Sequence, residues 1–249
     1  MNQIYDELFM REQEVRKTYP NIVGIFLYGS QNYHLDTEYS DIDSRTLICP
    51  TLDDIANNHK AISEREITDA RLMIDLFKKQ NLTSLELLFT KYKIIFKPYE
   101  DIWEHLVINA EDIAHYHPYR AAQTVLGMAR RKYASFNVEL PSAAHKYNPK
   151  ELYHLLRLQE YFNKYKQNYS FQECFISNQA SFLKDVKLGK LPYEEALKLN
   201  EQAIKDVIKQ VDEFCILNPV NKMNKHIDKL LTKVKRELIV ASLKIEVDK

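Results

Sequence analysis

Asp41 and Asp43 stand one residue apart, and Gly29-Ser30 precedes them with residues 31–40 between. Carboxylates at alternate positions of a strand point to one face and repel each other unless a cation sits between them. Magnesium suits that pair, because it takes one or two protein carboxylates and completes its octahedron with water and phosphate oxygens. Gly29 lacks the Cβ that would hold a phosphate off the backbone, and the amides of a helix start and the Ser30 hydroxyl are phosphate donors. The competing reading is a plain turn followed by a solvated Asp-x-Asp loop edge. A strand, Gly-Ser and Ser40-Asp41-Ile42-Asp43 in one run favour phosphate and metal chemistry over that reading.

The elements that must position these residues follow from periodicity. Ile22, Val23, Ile25, Phe26 and Leu27 form an apolar run of strand length that ends at Gly29-Ser30, where Gln31-Asn32 open a short helix. The pattern predicts a second strand over 41–49, stopped by Pro50, and an amphipathic helix over 4–18. A third strand is expected over 61–68, a helix over 71–80 and a short strand over 93–96. Thr83 and Glu86 read as a capping box, which makes Glu86 a helix cap rather than a catalyst. From residue 101 the periodicity is helical, over 101–109, 112–136, 149–168, 171–187, 193–214 and 222–246, with breaks at Pro141, Gly189 to Pro192 and Pro219. The expected class is α+β: a small mixed sheet domain over 1–110 followed by an all-α domain over 111–249.

Charge divides along the same line. The net formal charge is zero, yet residues 1–110 hold 12 Lys+Arg against 18 Asp+Glu and residues 111–249 hold 23 against 17. Within 120–166 nine basic residues face three acidic ones, which suits a phosphate-binding surface. Asn148-Pro149 is a cap and first-turn pair for the helix that follows. On that helix Lys150, His154, Arg157 and Tyr161 fall at i, i+4, i+7 and i+11 and share a face suited to a triphosphate and a base. The last helix carries Lys222, Lys225, Lys229, Lys233 and Arg236 on one face, either solvated or an RNA-binding stripe. Cys49, Cys174 and Cys215 have no metal-like spacing and read as reduced thiols. With no apolar run of membrane-spanning length and no signal-type leader, the expected location is cytoplasmic, without a membrane partner.

Tyr28-Gly29-Ser30-Gln31-Asn32-Tyr33 followed by Ser40-Asp41-Ile42-Asp43 resembles the DNA polymerase beta-type nucleotidyltransferase superfamily. Asn81 to Leu88 and Lys150 to Leu158 resemble its RNA-repair-associated branch, so the likeness is scattered over about residues 22 to 190. His34 stands where that branch usually has Gly, and Leu82 where it has Pro. The resemblance implies an NTP substrate, two magnesium ions on Asp41 and Asp43, and an RNA 3′ end as acceptor. It implies a grip on the β- and γ-phosphates by Gly29 and Ser30, with Lys146, Lys150, His154 and Arg157 contacting the nucleotide. It also implies a third acid on a neighbouring strand, for which Glu66 is the choice over Glu64 and Asp69. Two further readings are nucleotidylation of a protein hydroxyl, as in antitoxin-like members, and an RNA-binding module without activity.

Overall fold

The structure is a computed structural model and describes residues 3–38, 40–64, 66–137 and 146–247. The break read at Pro141 and the Arg65 flank of Glu66 lie outside the described residues. In chain order the elements are α1 (Gln3–Val15), β1 (Ile22–Tyr28), a 3-10 turn (Ser30–Tyr33), β2 (Asp43–Ile48), α2 (Leu52–Ala56), β3 (Ile67–Asp69), α3 (Ala70–Lys78), α4 (Leu82–Phe89) and β4 (Lys93–Ile95). Helices follow: α5 (Glu100–Ile108), α6 (Ala110–His115), α7 (Pro118–Ala134), α8 (Pro149–Tyr165), α9 (Phe171–Phe175), α10 (Ala180–Lys187), α11 (Tyr193–Leu217) and α12 (Lys225–Val247). The fold is α+β.

The sheet order is β3-β2-β1-β4, with β1 antiparallel to β2 and β4, and β2 parallel to β3. A central strand covered on both faces reads as a continuous apolar run, and β1 is buried from Ile22 to Leu27. A bulge between Ile22 and Gly24 breaks strict alternation, so Ile22 and Ile25 both join Leu8, Val15, Ile48 and Ile67 in the cluster that α1 covers. Phe26 packs on Trp103 of α5, ring centroids 4.5 Å apart. Gly24 is required by packing: a Cβ there would lie 2.9 Å from the Ile94 carbonyl oxygen and 2.7 Å from Ile95 Cδ1.

The chain forms two compact units that do not follow the expected split at residue 110. One comprises Met1–Asn32, Asp41–Tyr116 and Asn224–Lys249; the other comprises Tyr33–Ser40 and His117–Met223. The last helix belongs with the sheet because α12 buries Ile227, Leu231, Val234 and Leu238 and is tied to α3 by Lys235–Asp75 (2.8 Å) and Lys78–Asp228 (3.0 Å). Near its far end, Asn21 Nδ2 donates to Ser242 Oγ (2.8 Å) and Glu246 Oε1 (2.5 Å), and Ser242 donates to the Pro50 carbonyl (2.8 Å). In the second unit α7, α8 and α11 pack on one another, and α9 and α10 pack on α8. Leu35, from the segment between the Gly-Ser and Asp-Ile-Asp motifs, is buried there with Phe136, Tyr147, Leu152, Tyr153, Leu183, Val186 and Ala196.

Several element boundaries differ from expectation, each for a local reason. Asp41 and Ile42 precede β2, which begins at Asp43, so the ladder does not fix Asp41 on the face of Asp43. The expected strand over 61–68 is a tight reversal: Glu64 N donates to the Ile67 carbonyl, and Ser63 bridges Thr68 antiparallel. Only Ile67–Asp69 joins the sheet. Helix 112–136 is broken before Pro118, whose ring suits the first turn of α7, and 171–187 is interrupted between α9 and α10.

Candidate functional site

Register places the Gly-Ser turn beside one aspartate. Tyr28 at the end of β1 pairs with Asp43 at the start of β2. Gly29 follows with φ 92°, and a Cβ on it would lie 3.3 Å from Asp43 Oδ2. Glycine therefore serves both the left-handed backbone and the close approach of the carboxylate. Asp41 and Asp43 are exposed, and among the described residues neither has a hydrogen-bond or ion-pair partner. Two unpartnered carboxylates, one against a turn whose Ser30 hydroxyl is only part-buried, fit a cation that takes its remaining ligands from water and phosphate.

Glu86 is the residue that sequence reasoning assigned differently. The cap of α4 is Asn81, whose Oδ1 accepts from Ser84 N at 3.0 Å, and Thr83 donates to the same oxygen. Glu86 is not the cap of α4 and is buried, and its Oε1 accepts from Gly29 N and Asn32 Nδ2, both at 2.9 Å. Thr90 donates to Asn32 Oδ1 at 2.9 Å and closes the brace. The Gly29 amide is thus committed to Glu86, and Ser30 beside it stays part-buried. Burial, and then the Glu86 charge, hold the Tyr28 phenol above its ordinary pKa, with Asp43 adding a smaller push. Glu86→Leu leaves the part-buried Gly29 amide without its acceptor and the Asn32 amide with only the Leu27 carbonyl, at a cost on the order of 1–3 kcal/mol. The expected result is a lower melting temperature, whereas Glu86→Gln retains an acceptor and most of the stability. Calorimetry on the two variants checks this.

The acids weighed for a third ligand are placed apart from this pair. Asp69 is buried, caps α3 through Arg71 N, and holds the Arg71 guanidinium bidentately at 2.6–3.1 Å. Glu66 is exposed just before β3 and pairs with Arg11 at 2.5 Å, and Glu64 is exposed in the reversal. Among the described residues no group of three or more His, Cys, Asp or Glu is placed to hold a metal, so Glu66 is not brought together with Asp41 and Asp43.

The second unit holds a cluster of cations. Lys150, His154 and Arg157 on α8 are joined by Lys187 at the end of α10 and Lys132 at the end of α7. Burial first, then repulsion from Lys132, Arg157, Lys150 and Lys187, pushes the His154 imidazole down to about 3. Burial, with Lys150 and Arg157 behind it, also lowers the Lys187 ammonium, which donates to Ser40 Oγ at 3.1 Å. Lys132 is neutralised by Glu151. Arg157 has no carboxylate partner among the described residues: its guanidinium lies 5.1 Å from the Tyr33 ring centroid, 5.5 Å from Tyr153 and 5.9 Å from Phe175. Its Nη1 donates to the Tyr153 hydroxyl at 3.3 Å. Tyr161, expected on the open face, is instead buried against Phe171 and Phe175, because α9 covers that end of α8. Lys146 is exposed and is not among the cations acting on His154. Lys187 escaped the sequence reading because nothing in its spacing links α10 to α8.

No family model and no curated protein matches this chain. Among the described residues no helix is long and apolar enough to cross a membrane.

Proposed function

We propose that this chain is a magnesium-dependent nucleotidyltransferase of the DNA polymerase beta type, with RNA as acceptor. The observation that carries the reading is the glycine turn set against Asp43, with neither Asp41 nor Asp43 partnered among the described residues. In the reaction an acceptor hydroxyl oxygen attacks the α-phosphorus of a nucleoside triphosphate in line. The bond from that phosphorus to the bridging oxygen of the β-phosphate breaks, pyrophosphate leaves, and the hydroxyl proton passes to solvent. Asp41 and Asp43 would hold the magnesium, which would supply activation of the hydroxyl and neutralisation of the leaving phosphates. The Ser30 hydroxyl donates to a phosphate oxygen, and Glu86 keeps the turn in shape. In the second unit Arg157 and Lys187, with Lys150 beside them, offer positive charge that no carboxylate in direct contact offsets among the described residues, which favours a polyphosphate ligand. The test is incubation with each labelled triphosphate and magnesium, with RNA or a protein mixture as acceptor. Magnesium-dependent label on RNA with release of pyrophosphate is expected. Label on protein alone would move the acceptor to a protein hydroxyl, and no transfer from any triphosphate would overturn the reading.

A further inference from the structure

Helix α12 returns basic charge to the unit that holds most of the net acidic residues 1–110. Between Lys225 and Val247 it carries Lys225, Lys229, Lys233, Lys235, Arg236 and Lys244 against Asp228, Glu237 and Glu246. Two of those acids are drawn inward: Asp228 pairs with Lys78, and Glu246 accepts from Asn21 and from the Leu52 amide. Of the lysines, Lys235 turns in to Asp75. Lys225, Lys229, Lys233 and Arg236 are left exposed at i, i+4, i+8 and i+11, about one per turn along one face, with Lys244 farther on. Glu237 offsets only Lys233, at 3.4 Å, and Lys225, Lys229 and Arg236 have no acidic partner among the described residues. Lys229, Thr232, Lys233, Arg236 and Glu237 line an open groove of about 350 Å³.

The stripe also starts at the wrong end for helix stability. Cations are favoured at a helix C-terminus and disfavoured in the first turn, where Lys225 stands, so the backbone dipole adds to its positive field. An anionic partner is what relieves that arrangement. A membrane surface fits poorly, because an interfacial helix offers lipid an apolar face, and the apolar face of α12 is buried within its own unit. A linear row of cations at regular rise fits a phosphate backbone.

We infer that the Lys225, Lys229, Lys233 and Arg236 face of α12 docks the phosphate backbone of RNA, independently of base sequence; taking RNA as the polymer rests on the nucleotidyltransferase reading. Four phosphate contacts on a single strand give a log-log salt slope near −3, or on the order of 50-fold weaker binding between 50 and 200 mM salt. The experiment is fluorescence anisotropy of the full chain with a labelled, unstructured oligoribonucleotide, without magnesium or nucleotide, across that salt range. Lys225→Gln, Lys229→Gln, Lys233→Gln and Arg236→Gln combined are expected to cut affinity more than tenfold and bring the slope near zero. The pair Lys229→Gln with Arg236→Gln, which tests the face should the quadruple variant not fold, lowers the slope by about 1.4. Lys198→Gln, Lys205→Gln and Lys209→Gln on exposed positions of α11 are expected to change neither. The inference is overturned if the parent does not bind RNA, if both α12 variants bind like the parent, or if the α11 variant loses as much. It is also overturned if the same α12 residues instead drive binding to phosphatidylserine vesicles. RNA binding by the parent without any transfer would remove only the transferase reading.

Discussion

Asp41→Asn and Asp43→Asn are each expected to abolish nucleotide transfer, by more than a hundredfold, while leaving the melting temperature unchanged. Both side chains are exposed and have no partner among the described residues, so neither substitution opens a cavity or strands a buried donor, and surface changes of that kind stay within about 0.5 kcal/mol. Loss of one carboxylate removes a charged ligand for magnesium, and phosphoryl transfer depends almost wholly on positioning and charge neutralisation. The measurement is transfer from labelled triphosphate at saturating magnesium, alongside thermal unfolding of the same preparations. Activity within tenfold of the parent for both variants would rule out the two-carboxylate reading.

The sheet and the motif were legible because they depend on short-range pattern. An apolar run of strand length must be buried on both faces, and Gly-Ser after it marks a turn; β1 ends where the pattern says it should, and Gly29 takes the positive φ. The partner of that turn was not legible. Thr83-x-x-Glu86 satisfies a capping box on paper, but the helix starts earlier and Asn81 caps it through Ser84 N, while the Glu86 carboxylate accepts from Gly29 and Asn32. Nothing in the spacing of residues 57 positions apart announces that contact.

Long-range placement was likewise hidden in the unit boundaries. Periodicity identified α12 as a helix with one basic and one apolar face, but could not say which core receives Ile227, Leu231, Val234 and Leu238. The answer lies in single polar partners: Asp75 and Asp228 in ion pairs with lysines of the facing helix, and Asn21 positioned for Ser242 and Glu246. The same holds for Leu35, whose burial with Tyr147 and Leu152 assigns the segment between the two motifs to the helical unit. A face rule on α8 placed Lys150, His154 and Arg157 correctly together, and failed at Tyr161 because it cannot see a short helix covering half the face.

That cationic cluster carries the second large effect. Lys187→Gln removes a charge repelled by Lys150 and Arg157 and a hydrogen bond to Ser40, contributions of opposite sign, so stability is expected to stay within about 1 kcal/mol. If the cluster binds polyphosphate, the same change removes a charge-assisted contact of roughly 1.5–3 kcal/mol, or about 10- to 150-fold in triphosphate affinity. His154 supplies an independent readout. Its imidazole ionises near 3 in the fold and near its ordinary value of about 6.5 when unfolded. Between those values the unfolded chain binds the extra proton, so stability is full above pH 6.5 and falls as pH falls, by about 1.4 kcal/mol per unit. The loss from this group between pH 7 and pH 5 is about 2 kcal/mol, and His154→Asn is expected to abolish it. A bound triphosphate offsets Lys150, Arg157 and Lys187, raises the His154 value and shrinks the acid loss. Thermal unfolding at pH 7 and pH 5, with and without triphosphate, on the parent, Lys187→Gln and His154→Asn measures all of this. An acid loss that triphosphate leaves unchanged, together with an unaltered affinity in Lys187→Gln, would show that the cluster takes no polyphosphate.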